Sequence, residues 1–299
     1  MSTTELNSVD DPEALFQRKP LLIRVASLAR RQPLGVAGAL LVLTIVSLAV
    51  FADQIAPHDS ELIDFNAMLT PPDDVYWLGT DQFGRDLWTR LMYGARTALF
   101  IGFIGAFVGA TTGLVLGVAS AYFGGNFDLI MQRIIDVFMA FPLIIMALAL
   151  VAVFGNELQF VILAITLPFI PDCARIVRSN ALQIREIPYV DAARALGFGH
   201  TRIILRHMLP NVMAPYLIVL TSNIGQAILL EASLSYLGLG VQEPTPSWGL
   251  MLQGGAEEYA ESAPWVAVFP GLAIAVSVFG FNLFGDALRD VLDPRLRTR

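Results

Sequence analysis

Residues 97–127 read TALFIGFIGAFVGATTGLVLGVASAYFGGNF, without one charged side chain. A helix needs about 20 apolar residues to cross the hydrocarbon core of a bilayer. The stretch is therefore long enough to span a membrane, and its end is expected near Tyr122, before the turn-forming pair Gly124-Gly125. Gly105, Gly109, Gly113 and Gly117 recur every four residues and so share one face of that helix. With no side chains there, a second helix backbone can come close enough for dispersion to hold the pair, which matters where lipid removes the hydrophobic drive between helices. Helix packing is the reading we take for these four glycines, ahead of a ligand contact.

Four more uncharged runs of spanning length lie at 34–51, 137–156, 208–230 and 262–285. A further one, 158–171, holds only fourteen residues and two prolines. Loop charge decides whether it crosses. If it does, both chain ends lie in the cytoplasm with sixteen of the nineteen basic residues: Arg18, Lys19, Arg24, Arg30 and Arg31, then Arg133, the six arginines from Arg175 to Arg206, and Arg289, Arg295, Arg297 and Arg299. Outside remain Arg85, Arg90 and Arg96, beside acidic loops such as 231–261, which has no lysine or arginine. Cytoplasmic loops collect positive charge, and a five-span chain would put one basic end outside. The fold expected is thus an all-α integral membrane protein of six transmembrane helices. Its parts are a cytoplasmic tail at 1–33, a first span at 34–52, an extracytoplasmic loop at 53–96, a five-helix core at 97–286 and a cytoplasmic tail at 287–299. Pro142, Pro168, Pro171 and Pro270 fall within spans and predict local kinks, since each removes a backbone donor. The bulk composition agrees with lipid as the solvent for much of the surface: 55% hydrophobic, 15% charged, mean hydropathy +0.62.

Several functions are excluded. A net charge of −7 argues against nucleic acid, which calls for clustered cations. Cys173 is the only cysteine, so no intrachain disulfide or zinc ribbon can form. No signal-peptide pattern precedes Leu34. His58, His200 and His207 form no HExxH pair, and no GxSxG elbow is present. Lys19, the sole lysine, lies in the tail, so the chain has no phosphate-binding Walker loop and cannot itself be an ATPase of that class. In the outer loop, Asp73, Asp74, Asp81 and Asp86 gather near aromatic residues, but Asp81-Gln82-Phe83-Gly84 lacks the alternating ligands of an EF-hand. Neither metal nor cofactor is expected, and the loop reads as a structural cap over the span ends. Asp136, Glu231 and Asp286 are expected at span ends, and Asn282, inside the sixth span, in a helix–helix hydrogen bond. A secondary transporter would want a buried ionisable group and symmetric broken helices. A membrane enzyme would want a nucleophile–base pair or metal cluster. Neither pattern is visible.

Between the fourth and fifth spans, residues 189–211 read YVDAARALGFGHTRIILRHMLPN. Pro188 suits the first turn of a short helix, and Gly197 or Gly199 its end, with a second helix running into the fifth span. Asp191 and Arg194 stand one turn apart and can pair. Val190, Ala193 and Gly197 share a face of little bulk, expected to suit docking into a groove on a partner.

The pattern Asp191-Ala192-Ala193, three residues, Gly197, nine residues, His207, one residue, Leu209-Pro210 resembles the EAA loop, within 180–210 here, of the permease subunits of ATP-binding-cassette (ABC) importers. It departs from that pattern in having Asp191 for glutamate and His207 for an aliphatic residue. Trp77-Leu78-Gly79-Thr80-Asp81, Gly84-Arg85-Asp86, Leu234-Ser235-Tyr236-Leu237-Gly238-Leu239-Gly240 and Leu292-Asp293-Pro294 resemble the dipeptide, oligopeptide and nickel permeases of this class, most of all their C-type subunit. The resemblance covers 34–295. It implies the type I ABC-importer permease fold in a bacterial inner membrane, with no enzyme activity in this chain. It also implies a sister permease subunit, two ATP-binding subunits and an extracytoplasmic substrate-binding protein as partners. Asp191, Ala192, Ala193, Gly197 and His207 would then dock onto the ATP-hydrolysing subunit, with Leu209 and Pro210 setting the start of the fifth span. The implied cargo is a dipeptide or oligopeptide, although relatives also carry nickel, glutathione or opines.

Overall fold

The computed structural model describes residues 32–292. The tail arginines, Lys19 and the motif from Asp293 onward lie outside the described residues. Within them, helices are joined by loops, with one isolated antiparallel bridge between Thr80 and Asp86.

Helix α1, Pro33–Val50, opens on a proline whose missing N–H costs nothing in the first turn. Helix α2, Leu87–Phe123, runs for 37 residues and starts ten residues before the uncharged stretch. The loop expected to reach Arg96 is therefore shorter than the sequence suggested. Asp86 is the reason: its carboxylate accepts hydrogen bonds from the Thr89 amide at 3.1 Å and the Thr89 hydroxyl at 2.6 Å, capping the new N-terminus. At the other end the chain turns at Gly124, with φ of 63°.

The expected span at 137–156 is not one helix. It is divided between α3, Gly125–Met139, and α4, Leu143–Phe154, which meet at an angle of 87°. Pro142 occupies the α4 N-cap, lacks the N–H that would continue the ladder, and steers Phe141 away from helical torsions. Asp136 accordingly lies one turn before this break rather than at a span end, and it pairs with Arg175. Helix α5, Leu158–Arg185, runs through Pro168 and Pro171 for 28 residues, far past the fourteen uncharged ones. Its charges find partners: Arg178 Nε donates to Asp128 at 2.6 Å, and Arg175 reaches Asp136. Counting uncharged residues underestimates a helix whose C-terminal half is laced by ion pairs. Among the described residues, five helices are long and apolar enough to cross alone, six if the bent pair α3–α4 counts as one.

After α5 come the short helix α6, Pro188–Ala195, the turn α7, His200–Ile203, and a π-wound turn, Ile204–Met208. Helix α8, Leu209–Tyr236, follows, then α9, Trp248–Glu258, and α10, Trp265–Leu292, which continues through Pro270. Glu231, expected at a span end, is instead fully buried inside α8, where its carboxylate accepts from Ser235 at 2.8 Å and Ser247 at 2.9 Å. Asn282 makes no hydrogen bond among the described residues. It lies exposed against Gly225, in a groove of about 610 Å³ between α8 and α10 that also holds Ser233 and Tyr236.

The most extensive helix–helix contact is that of α2 with α5. A Cβ on Gly109 would lie 2.8 Å from the Thr166 carbonyl oxygen, and one on Gly113 would lie 2.7 Å from that of Ile170. One on Gly117 would lie 2.6 Å from the Ala174 oxygen, while Gly105 faces Ile165 at 2.8 Å. The glycine face thus presses directly on the α5 backbone.

At the Leu87 end of α2, the two long loops are joined by charge. Arg85 donates to Asp81 at 2.7 Å and, through both terminal nitrogens, to Glu243 at 2.8 and 3.1 Å. Arg90, 1% exposed, reaches Glu243 at 3.3 Å and the Ser60 carbonyl at 3.1 Å. Burial works against the charged form of Glu243, but the hydrogen bonds from Arg85 and the charges of both arginines outweigh it and hold its carboxyl below the usual glutamate range. Asp81 and Asp86, in the loop expected to form a structural cap, are a clamp for Arg85 and the N-cap of α2.

Candidate functional site

The segment between α5 and α8 is built from local rules. Pro188 starts α6, and Asp191 in its first turn with Arg194 in its last complement the helix dipole while pairing at 3.2 Å. Gly197, not Gly199, closes it. Its φ is +77°, its amide donates to the Arg194 carbonyl at 2.9 Å, and the Phe198 amide reaches back to Ala193 at 3.1 Å. This is the Schellman ending, which a side chain at position 197 would strain.

The face expected to dock is partly turned the other way. Val190 is fully buried and Ala193 is 4% exposed, both in one apolar cluster with Ile184, Ile203 and Met208. An apolar helix face in water buries itself against its own protein when a core is at hand. What remains outside is Asp191, Ala192, Arg194, Ala195, Leu196 and Gly197. Leu196 is 74% exposed, and sequence reasoning passed over it. Its signal was present: a large apolar residue just beyond a helix end, beside a glycine that forces the chain to turn.

Three groups fix the segment to the helix bundle. The Tyr122 hydroxyl, near the end of α2, pairs with His200 Nδ1 at 2.7 Å. The Arg194 guanidinium lies 5.4 Å from the Tyr122 ring centroid, within cation–π range. Arg185 donates to the Ala121 carbonyl at 2.8 Å, satisfying the end of α2. His207 is half-buried in the π-wound turn, Leu209 is half-buried at the first position of α8, and Pro210 is exposed beside it. The structure therefore brings Asp191, Ala192 and Gly197 together on one exposed surface, puts Ala193 beneath it, and puts His207, Leu209 and Pro210 at the foot of α8.

Residues 113–298 match the family model described as a binding-protein-dependent transport system inner membrane component. Residues 28–72 match the N-terminal transmembrane domain of oligopeptide transport permease C. A putative peptide transport system permease of Brucella suis is 44% identical over 94% of either chain. A dipeptide transport system permease of Alkalihalophilus pseudofirmus is 39% identical over 90% of this chain and 88% of its own. A glutathione transport system permease of Escherichia coli is 42% identical with the same coverage. Among solved structures, the MetNI methionine ABC transporter in an inward-facing conformation matches with a TM-score of 0.56, over 68% of this chain and 96% of that one, at 20% identity. That last likeness is one of fold.

Proposed function

Because the chain belongs to the binding-protein-dependent transport system inner membrane components, the permease subunits of ABC importers, we propose that it passes peptides inward across the bacterial inner membrane, powered by ATP hydrolysed in partner subunits. The observation that carries the powering step is the exposed end of α6, where Asp191, Ala192, Leu196 and Gly197 stand clear of the bundle on a helix closed by a rigid turn. A surface offered on so short and well-fixed a helix suits insertion into a cleft of the ATP-binding subunit. Its pull would reach the bundle through Tyr122 and the foot of α8. The sixteen basic residues assigned to that side of the membrane support a cytoplasmic position. The peptide cargo is supported by relatives named for peptide, dipeptide and glutathione transport, the last itself a tripeptide. A sister permease and an extracytoplasmic binding protein complete the assembly proposed.

Leu196→Asp tests the docking surface without touching the fold, since the side chain is 74% exposed. We expect the variant to insert and unfold like the parent, yet to lose co-purification with the ATP-binding subunits by at least tenfold, as befits a charge buried at an interface centre. Normal ATP-driven peptide uptake by Leu196→Asp would overturn the docking surface. Uptake that persists in proteoliposomes lacking the ATP-binding subunits would overturn the powering step.

A further inference from the structure

The joint between α6 and α8 carries two features that raise its free energy. The turn Ile204–Met208 is π-wound, a rare winding that collects at functional sites. Among the described residues, His207 Nε2 within it is enclosed without a hydrogen-bond partner, which is costly for a buried polar atom. Pro210, which has no N–H to offer the Arg206 carbonyl, favours the wider winding, and further bonds reach the turn from the docking helix. Tyr189, second residue of α6, donates its hydroxyl to the His207 carbonyl oxygen at 2.9 Å. Asn211, in the first turn of α8, donates Nδ2 to that same oxygen at 2.7 Å and to the Tyr189 hydroxyl at 3.1 Å. The rings continue the contact. Tyr189 and His207 have centroids 6.0 Å apart, His207 stacks on Phe198 at 6.1 Å, and the Arg202 guanidinium lies 4.0 Å from the centroid of Phe198.

Both lone pairs of the His207 carbonyl are thus taken by side chains, one of them from α6. We propose that Tyr189, His207 and Asn211 form a catch: while Tyr189 holds the carbonyl the turn stays π-wound, and when α6 is displaced the turn rewinds to α-helical spacing and rotates α8. This rests on the docking role of α6 proposed above. Rewinding expels the surplus residue of the π-turn, so everything C-terminal to it turns about the helix axis. It also frees the His207 ring to leave the stack and bring Nε2 to water. The state seen here is therefore one of two, with strain on the closed side balanced by three side-chain hydrogen bonds. Tyr189 acts through the carbonyl it holds and is a positioning residue for transport.

The test uses the full chain assembled with its ATP-binding subunits, sister permease and binding protein. Cys173, the sole cysteine, is buried, so spin labels can be placed at Leu229→Cys on α8 and Phe100→Cys on α2, two exposed positions. Distances between the labels are read with and without a non-hydrolysable ATP analogue. Tyr189→Phe keeps the ring and removes the donor. Without nucleotide it is expected to shift the population ratio toward the analogue-bound distribution by roughly fivefold, the worth of one such hydrogen bond. Asn211→Ala, which removes the other two bonds, should shift it in the same direction. If Tyr189→Phe fails to assemble, Asn211→Ala decides by the same reading. Distributions unchanged from the parent in the variants that assemble overturn the catch and leave the docking role standing. Failure of both variants to assemble assigns these residues to packing and likewise overturns it. If the unsubstituted chain does not assemble with ATP-binding subunits at all, the docking role falls and takes the catch with it.

Discussion

Replacing Gly113 by valine is expected to cost about 3 kcal/mol, the upper end of what overpacking does to a filled core. The first added carbon alone would lie 2.7 Å from both the Ile170 carbonyl oxygen and the Cys173 Cβ, and 2.9 Å from the Ala174 amide nitrogen. Two of those atoms are backbone of α5 and cannot swing aside as a side chain would. Relief requires α2 and α5 to separate, which forfeits the dispersion contacts along the whole glycine face. Gly271→Ala is the control. It lies in α10 with only Leu252 Cδ1 nearby, at 3.8 Å, and should be neutral or slightly stabilising because alanine favours the helix. Thermal unfolding in detergent, followed by the loss of monodisperse protein on size-exclusion chromatography, compares the two. A Gly113→Val variant that melts with the parent would show that the bundle tolerates a wider α2–α5 spacing.

Arg90→Leu should destabilise the face built by the two long loops, by a smaller amount. Arg90 is 1% exposed, lies 3.6 Å from the buried Asp81 carboxylate and joins Ser60 to Glu243. Removing it leaves Asp81 and the half-exposed Glu243 paired with Arg85 alone and the Ser60 carbonyl without its donor, at a cost of about 1–3 kcal/mol. The readout is protease nicking of the loop 52–86 at fixed temperature, which should quicken in the variant while the helices remain inserted. Equal nicking rates would place the stability of this cap elsewhere. The same network gives the cap a pH dependence. Glu243 is held below the usual glutamate range when folded, so its contribution is complete above that range and is lost as pH falls through the lowered folded value. In Glu243→Gln this acid-side loss should shrink.

The helical membrane class, the glycine face and the short helix at 188–195 were legible because each rests on a local rule: absence of charge, a four-residue repeat, a proline start with a glycine stop. Three things were not. The bend between α3 and α4 follows from Pro142, yet Pro168, Pro171 and Pro270 sit inside helices that continue. A proline breaks a helix only where nothing else holds the two halves together, and that is decided by packing. The outward extension of α2 hides behind Arg90 and Arg96, which look like loop residues until Glu243, some 150 positions away, and Asp53 supply their partners. The inward turn of Val190 and Ala193 depends on Ile184 and Ile203, which only the fold places beneath them. Charges and small residues were misjudged where their partners are remote in sequence.

The length of α2 has a mechanical consequence. Arg90 grips the outer cap near one end and Tyr122 touches Arg194 and His200 near the other, on a single helix. At about 1.5 Å per residue these anchors are about 48 Å apart on one rod, longer than the hydrocarbon core is thick. A rod pinned along its middle by the α5 backbone behaves as a lever with its fulcrum in the membrane. Tilting it by about five degrees would move each end by about 2 Å in opposite directions, gearing the two ends to each other by stiffness alone.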